Sequence, residues 1–475
     1  MAKYEMVVGL ETHVELSTKT KIFCGCTTAF GAKPNTNCCP ICIGLPGTLP
    51  KLNRQVVHYA IKAGLATHCN IAEDARMDRK NYVYPDLPKA YQISQYDKPL
   101  CYGGYITLRS GKKIRITRIH IEEDAGKLVH DRGDTYVDYN RGGVPLIEIV
   151  SEPDIRSIEE AREYLENLQL IMKYIGVSDC KMQEGSLRCD VNLSLRPVGS
   201  DEMGTRAEIK NMNSFSNMEK AMQYEYERQA ELLDNGEAVE QETRRFDVGS
   251  GCTESMRGKE DAQDYRYFRE PDLVPIHTSP QTIQQLLQQL PELPDSRTKR
   301  YLEYGIAPAD VASLVKYQAV ARYFDEACQG VQTPKTVSNL IVGQLFRRMP
   351  TDEEKETCTV AEKTTPAQLR ELVQLLESGK IRMNLAKTTL ETMLDTGKSP
   401  SQLLSAEDLS QVDDTALTEI CRQVIADNPG NVADFLGGKE KALQPLIGAV
   451  MRATKGKADA RTAQKLLREL MACAQ

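Results

Sequence analysis

The sequence lacks any long hydrophobic run. No apolar stretch among its 475 residues approaches the ~18–20 residues that a membrane-spanning helix needs. The start, MAKYEMVVGLETH, has neither the apolar core of a signal peptide nor the Arg- and Ser-rich composition of a transit segment. We therefore expect a protein of the cytoplasm.

The chain also lacks an excess of positive charge, since it has 60 Lys and Arg against 67 Asp and Glu and a formal net charge of −7. The overall balance therefore does not indicate a nucleic-acid partner, which would have to bind a local basic patch. The chain has neither a GxxxxGK[ST] phosphate loop nor a GxGxxG dinucleotide turn, and it has no GxSxG nucleophile elbow. If ATP binds, it binds a fold outside the two nucleotide-binding classes that those motifs mark.

The composition is that of a soluble globular protein. Hydrophobic residues make up 41% and charged residues 27% of the chain, which argues against disorder. The length suggests about three domains. There are 14 cysteines, and in a chain of this size without a secretory signal we interpret them as free thiols or metal ligands rather than disulfides.

The pattern divides the chain into a mixed N-terminal part and a helical remainder that begins near Pro280. Strands are predicted at GLETHVEL, IRITRIHIE, VPLIEIV, SLRCDVNLSLR and RAEIK. Ser157 and Glu160 form the capping box of a helix that Gly176 ends. Two further boundaries are predicted, a linker at 291–299 and a break between helical segments at GKSPSQ (397–402). We predict an α+β protein with domains 1–293, 294–402 and 403–475.

Residues 437–475 are a positively charged end on a negative chain. They contain eight lysines and arginines and three acidic residues, a net charge of +5. A solvated helix face and a nucleic-acid contact both account for this pattern.

Four cysteines form a predicted zinc knuckle at 24–42. Cys24 and Cys26 form a CxC pair, and Cys39 and Cys42 form a CxxC pair, with Cys38 beside them. Two such pairs joined by a loop can place four sulfurs tetrahedrally around Zn²⁺, and the nearby glycines and prolines suit tight ligand turns. Four thiolates leave no open position, so a bound zinc would be structural; ordinary free cysteines are the alternative.

The strand GLETHVEL has a carboxylate–imidazole face. A period of two places Glu11, His13 and Glu15 on one side and the apolar residues on the other. Further carboxylates are Glu122, Glu123 and Asp124, and Glu148 lies between two isoleucines, where an unpaired acid is costly to bury. Oxygen-rich ligands with one imidazole suit Mg²⁺ better than zinc. A solvated sheet face is the alternative.

The strand SLRCDVNLSLR alternates between apolar and polar residues. Arg188, Asp190 and Asn192 share its polar face, and RAEIK adds Glu208 and Lys210. Such a face can hold phosphates and a bridging Mg²⁺. Any half-solvated antiparallel sheet alternates in the same way.

Residues 78–96, DRKNYVYPDLPKAYQISQY, have neither helical nor strand periodicity and contain four tyrosines and three cations. We interpret them as a site loop whose tyrosines stack on an adenosine and whose lysines, Lys80 and Lys89, reach phosphates. A self-packed surface loop is the alternative.

Eight segments, in order along the chain, resemble the B-subunit family of the bacterial aspartyl/glutamyl-tRNA amidotransferase, the GatB family. The first four are GLETHVEL (9–16), the 78–96 loop, RIHIEEDAGK (118–127) and NRGGVPLIEIVSEPDIRS (140–157). The others are KMQEGSLRCDVNLSLRP (181–197), EIKNMNSF (208–215), QETRRFD (241–247) and DYRYFREPDLVP (264–275). The resemblance covers effectively the whole chain.

The resemblance implies an antiparallel-sheet cradle similar to the glutamine synthetase core, then a helical domain and a small helical tail domain that meets tRNA. It implies an ATP-dependent carbon–nitrogen ligase that uses glutamine as amido donor to amidate Glu-tRNA(Gln) or Asp-tRNA(Asn). An amidase A subunit would supply ammonia, and a small C subunit would complete a heterotrimer.

The same resemblance implies residue roles. A Mg²⁺ site is expected at Glu11, His13, Glu123 and Glu148, and Asp190 is expected to take part in catalysis. Lys80, Tyr82, Arg188 and Lys210 are expected to lie near the nucleotide. The family context also favours tRNA binding by the basic end and zinc at the four cysteines.

Three other interpretations compete with this one. The first is a non-catalytic, zinc-containing tRNA-binding scaffold, against which the intact Glu11, His13 and Glu148 argue. The second is the related archaeal subunit, which has a large inserted domain for which there is no room between 197 and 300. The third is an aminoacyl-tRNA synthetase, which would have HIGH and KMSKS motifs, and neither is present.

Overall fold

The computed structural model describes residues 3–257, 264–406, 408–409, 414–454 and 458–472. The chain forms two compact units, Met1–Pro294 and Asp295–Gln475. Among the described residues, no helix combines the length and the apolar character needed to cross a membrane.

The first unit is built on one large sheet. Its strands are β1 (Tyr4–Glu15), β2 (Asn70–Ile71), β6 (Cys101–Thr107), β7 (Lys113–Glu123), β10 (Pro145–Ser151), β11 (Leu187–Pro197), β12 (Ala207–Met212), β13 (Thr243–Asp247) and β14 (Cys252–Arg257). The nine strands lie in the order β14-β13-β12-β11-β1-β10-β7-β6-β2. Neighbours are antiparallel except for β12 and β13, which are parallel. The five predicted strands all lie in this sheet.

In the described residues of the same unit, the α-helices are α1 (Arg54–Ala66), α2 (Ile158–Tyr174), α3 (Phe215–Asp234) and α4 (Pro280–Gln288). Ser157 caps α2 by accepting a hydrogen bond from the Glu160 amide at 3.2 Å. The Glu160 carboxylate accepts from the Arg156 amide rather than from Ser157, so only half of the predicted capping box forms. Gly176, with a φ of 68°, follows the helix end as expected.

The main core lies on one face of the large sheet. Leu10 and Val14 of β1 and Leu193 of β11 pack there with residues of α1, α2 and α3. The alternating strand pattern places Glu11, His13 and Glu15 on the opposite face, where they are half-buried. The one-sided core therefore leaves a polar face on the sheet, and we term it the open face.

The 78–96 segment is less irregular than its composition suggests. Residues Asp78–Asn81 (β4) pair with Tyr91–Ser94 (β5), and β4 also pairs with Phe268–Arg269 (β15). Only residues 82–90 between the strands form an irregular loop. Two smaller pairings are β3 (Asp74–Ala75) with β16 (Ile276–His277) and the hairpin of β8 (Lys127–Asp131) and β9 (Asp134–Asp138).

The described part of the second unit is helical. Its helices are α5 (Pro294–Glu303), α6 (Pro308–Val315), α7 (Gln318–Ala327), α8 (Pro334–Gly343), α9 (Asp352–Thr357), α10 (Pro366–Glu377), α11 (Met383–Thr396), α12 (Pro400–Leu403), α13 (Asp414–Asp427), α14 (Pro429–Leu436), α15 (Leu443–Ala453) and α16 (Ala460–Ala472). The predicted linker at 291–299 is wrong in part, because α5 begins at Pro294. Proline at the first helical turn is favourable there. The predicted α+β class, with a largely antiparallel sheet followed by helices, is confirmed.

A separate hydrophobic core joins α13, α15 and α16, with Leu446 and Leu467 fully buried in it. The predicted division of the helical part at 402/403 stays a prediction.

Candidate active site and metal centres

Strand register brings the polar residues of the open face together. Glu11 lies opposite Asp190, and His13 lies opposite Arg188 on one side and Glu148 on the other. Glu148 in turn lies opposite His120 of β7. Residues that face one another in neighbouring antiparallel strands have close side chains, so several charged groups converge on the middle of the sheet.

The first cluster consists of His13, Glu122 and Glu148, whose ligand atoms lie within 4.8 Å of one another. His13 Nε2 is 3.4 Å from Glu122 Oε1 and 3.7 Å from Glu148 Oε2. His120 Nε2 lies 3.2 Å from Glu148 Oε2. Two carboxylates and an imidazole form a donor set that suits Mg²⁺ or Mn²⁺.

Burial affects the two carboxylates of this cluster differently. It raises the pKa of Glu122, and the charge of Glu148 raises it further. Burial opposes ionisation of Glu148 as well, but the positive charge and hydrogen bond of His120 outweigh it and lower the pKa of Glu148. Glu148 is thus favoured in its ionised form, the form in which a carboxylate binds a metal ion.

Glu123 does not belong to this cluster, in contrast to the expected ligand set. It points to the other face of β7, where its carboxylate pairs with Lys89 and accepts a hydrogen bond from the Ile93 amide at 2.9 Å. Neighbouring strand residues point to opposite faces, so Glu122 and Glu123 cannot both reach His13. Ile119 and Ile121 are buried in the core, and this alternation assigns Glu122 to the open face.

A second cluster lies next to the first and consists of Glu11, Asp190 and Glu208, again with ligand atoms within 4.8 Å. Glu11 was expected to bind the same metal ion as His13, but its carboxylate lies in this second cluster. Lys210 Nζ lies 2.7 Å from Asp190 Oδ2 and 2.8 Å from Glu208 Oε1. Burial and then the charge of Glu148 raise the pKa of Glu11, which reflects the short separation between the two clusters.

Arg188, opposite His13 on the open face, donates to Asp124 Oδ2 at 2.8 Å. Arg141 approaches the same carboxylate at 3.6 Å. Burial, followed by the charge of Asp124, raises the pKa of Glu15 to about 8. Arg188 Nε is buried and has no hydrogen-bond partner among the described residues, so the guanidinium has a donor available for a ligand.

Lys80 and four tyrosines flank the clusters. Lys80 Nζ is 4.7 Å from the centroid of the Tyr265 ring and 5.9 Å from that of Tyr82. Its charge lowers the pKa values of Glu122 and Glu148, behind the larger effects of burial and of the neighbouring histidines. Tyr96 and Tyr267 stack with centroids 4.2 Å apart and an interplanar angle of 14°.

The pairing of β4 with β15 holds this aromatic group in place. Arg79 donates to both carboxylate oxygens of Glu270, at 2.6 and 2.8 Å, and Glu270 is fully buried. The guanidinium also lies 4.3 Å from the centroid of the Tyr91 ring. A buried bidentate pair of this kind fixes register, and it places Lys80 beside Tyr265.

The four predicted zinc ligands converge. The sulfurs of Cys24, Cys26, Cys39 and Cys42 all lie within 4.8 Å of one another, while Cys38 contacts Asn140 instead. Hydrogen bonding from Cys24 and from the Cys39 amide lowers the pKa of Cys42 to about 4, although burial opposes this shift. Four converging thiols, one already favoured as thiolate, fit a structural zinc ion.

Comparison with known proteins decides the family. A family model described as the GatB/GatE catalytic domain matches residues 6–284, and one described as the GatB domain matches residues 322–471. The chain belongs to the GatB family.

Curated relatives of this GatB-family chain match it over nearly its full length. A protein of Caldicellulosiruptor saccharolyticus is 52% identical over 98% of this chain and 99% of its own length. A protein of Carboxydothermus hydrogenoformans is 50% identical over 99% of this chain and 100% of its own length. Both are named as the B subunit of aspartyl/glutamyl-tRNA(Asn/Gln) amidotransferase. The resemblance found in the sequence is therefore confirmed.

The matched GatB domain includes most of the basic end. Some of its cations have local partners, since Arg468 lies 2.8 Å from Glu440 and Lys439 lies 2.9 Å from Asp434. Lys441, Arg452 and Arg461 are exposed. Lys455 and Lys457 lie outside the described residues.

Sequence reasoning named Glu122 as a further carboxylate and placed Glu208 on a polar strand face, but it assigned neither to a metal cluster. It gave no site role to Tyr265 and Tyr267. For Glu122 and Glu208 the alternation of their strands was a usable signal. For the two tyrosines no local signal exists, because β15 pairs with a strand almost 190 residues earlier.

Proposed function

We propose that this chain phosphorylates and then amidates the carboxylate of Glu or Asp esterified to tRNA; its relatives are named as the B subunit of an aspartyl/glutamyl-tRNA(Asn/Gln) amidotransferase. The observation that supports this proposal most directly is the pair of adjacent carboxylate clusters on one open sheet face, flanked by Lys80, Arg188 and Lys210. Phosphoryl transfer from ATP needs such an arrangement of metal ligands and cations.

The chemistry explains why ATP is needed. A carboxylate has a poor leaving group, and phosphorylation by ATP converts it to an acyl phosphate that ammonia can attack. Charge on the transferring phosphoryl group is stabilised by Mg²⁺ and by fixed cations. Water would hydrolyse the acyl phosphate, so the site must exclude solvent.

The residues divide into three roles. His13, Glu122 and Glu148 would hold one Mg²⁺, in place of the set with Glu123, and Glu11, Asp190 and Glu208 would hold a second. Lys80, Arg188 and Lys210 would contact the phosphate oxygens of a bound ATP, and Tyr82 would offer a ring to its adenine. Arg188 supports this assignment because its Nε is buried and unbonded among the described residues.

Ammonia comes from another polypeptide. This chain has no nucleophile elbow, and its relatives are named as one component of a multi-subunit amidotransferase. We propose a heterotrimer with a glutaminase A subunit and a small C subunit. The basic end contacts the tRNA, and the four cysteines bind one structural zinc.

The decisive assay uses the assembled complex with ATP, ammonium chloride and Glu-tRNA(Gln) or Asp-tRNA(Asn). Free ammonia bypasses the glutaminase, so product formation reports the chemistry of this chain alone. We expect ADP release that depends on charged tRNA and Mg²⁺. If ADP forms only with a partner's site intact, or not at all, this chain is a tRNA-binding scaffold instead.

A further inference from the structure

Lys21 is a buried cation that the proposed chemistry does not use. The residue has 0% relative exposure, and its ammonium donates to the carbonyl oxygen of Tyr139 at 3.0 Å. No carboxylate in the described part of the chain lies at ion-pair distance from it. An ammonium buried without an anionic partner is strongly destabilising. We therefore expect a negatively charged group near Lys21 in the functional protein.

The cysteine cluster lies beside it. The Lys21 amide donates to the carbonyl oxygen of Cys26 at 2.9 Å. Gly143 packs between the two groups, because a Cβ there would lie 3.7 Å from Lys21 Cδ and 3.7 Å from Cys42 Cβ. The Lys21 stem and the Cys42 side chain are therefore neighbours across a glycine.

Four thiolates around one Zn²⁺ have a net charge of about −2, and they need compensation when buried. We infer that Lys21 is a positioning residue whose ammonium is the counter-charge of the metal-bound thiolates. This inference rests on the proposed zinc site, and it assigns to that site a residue outside the cysteine motif.

The same lysine connects the knuckle to the loop at 82–90. Tyr139, whose carbonyl accepts from Lys21, donates its hydroxyl to the carbonyl oxygen of Pro85 at 2.8 Å. Gly44 of the knuckle packs on Lys89, since a Cβ there would lie 2.6 Å from Lys89 Cγ. Contacts of Lys21, Tyr139 and Lys89 thus join the segment that contains the cysteines to the loop.

The test uses the zinc-loaded full-length protein and the variant Lys21→Met, which keeps most of the length of the unbranched side chain but removes its charge. We expect zinc release to a chromogenic chelator to be at least ~10-fold faster, as for other residues that support metal ligands. Lys21→Arg should restore slow release. Lys33→Met, at an exposed lysine between the two cysteine pairs, is the control and should release zinc like the wild type.

Melting temperature separates a counter-charge from an ordinary structural lysine. Zinc-loaded Lys21→Met should melt below the wild type, whereas the metal-free variant should melt at or above it, because an uncompensated buried charge is gone. Lower melting in both states, or unchanged zinc release, overturns the inference. A wild-type chain that binds no zinc removes the zinc proposal and this inference together, while ATP chemistry is unaffected by that result.

Tyr139→Phe tests the connection to the loop. It removes the hydroxyl contact with Pro85 and leaves the carbonyl that accepts from Lys21. Zinc release should be unchanged, and hydrogen exchange of the amides at 82–90 should be faster than in the wild type. Equal exchange would show that the loop does not depend on this contact.

Discussion

Substituting Glu122 and Glu123 one at a time by Gln should give opposite phenotypes. Each change removes one charge from neighbouring residues of β7 and keeps the size of the side chain. Glu122 faces His13 and Glu148, whereas Glu123 faces Lys89. We expect Glu122→Gln to weaken metal binding at little cost in stability, and Glu123→Gln to lower stability with metal affinity unchanged.

The magnitudes follow from the two environments. Glu122 supplies one of two anionic ligands in its cluster, and one such charge pair at ~4 Å is worth about 4 kcal/mol at an effective dielectric constant near 20. Desolvation offsets part of this, so we expect at least a ~10- to 100-fold loss of Mn²⁺ affinity. Glu123→Gln leaves a mostly buried Lys89 unpaired, which costs about 3–5 kcal/mol and lowers the melting temperature by on the order of 10 °C.

The assay combines Mn²⁺ titration by electron paramagnetic resonance with thermal unfolding and ammonia-driven amidation. Amidation should fall at least ~10²-fold in Glu122→Gln and equally in Glu148→Gln, the scale of one lost electrostatic contact in the transition state. Should Glu123→Gln lose metal while Glu122→Gln retains it, the ligand set with Glu123 is right and the assignment of Glu122 to the first cluster is wrong.

Three further outcomes are expected. Metal analysis should find about one zinc per chain, reduced in Cys42→Ser; a folded, active wild type without zinc would contradict this. Truncation before Gly437 should weaken tRNA binding and reduce its salt dependence in a filter-binding series, while the partner still hydrolyses glutamine; unchanged affinity would make these cations a solvated face. The pKa of Glu15 rises from 4.5 to about 8 on folding, so folding takes up a proton. The stability of the wild type relative to Glu15→Gln should therefore fall between about pH 4.5 and 8 and stay constant above, as measured by urea unfolding. A difference that does not vary with pH would refute it.

Much of the sheet could be predicted because alternation is a local property. The faces of β1 and β11 follow from a period of two, and both are confirmed by burial. The same rule would have assigned Glu122 rather than Glu123 to the open face, since Ile119 and Ile121 are core residues. The choice of Glu123 came from the resemblance and overrode this alternation.

Other features depend on contacts that are distant in sequence. The division of five acids and one histidine into two clusters requires knowing that β1 lies between β10 and β11. The strand character of 78–81 and 91–94 depends on their pairing with each other and, for 78–81, with β15, and composition alone indicated a loop. Non-local pairing is not encoded in any short window.

The one-sided core has a consequence for how this fold tolerates change. On the core face, selection for stability and selection for function agree, because packing determines both. On the open face they conflict: Glu11 and Glu122 are held near other carboxylates at a cost in folding free energy. The folding free energy of such a sheet is therefore lower than the same fold could reach with neutral residues on the open face. Neutral residues at those positions would remove this cost in folding free energy and, under the proposed function, would also remove metal ligands. Directed selection for heat resistance alone would therefore accept such substitutions readily.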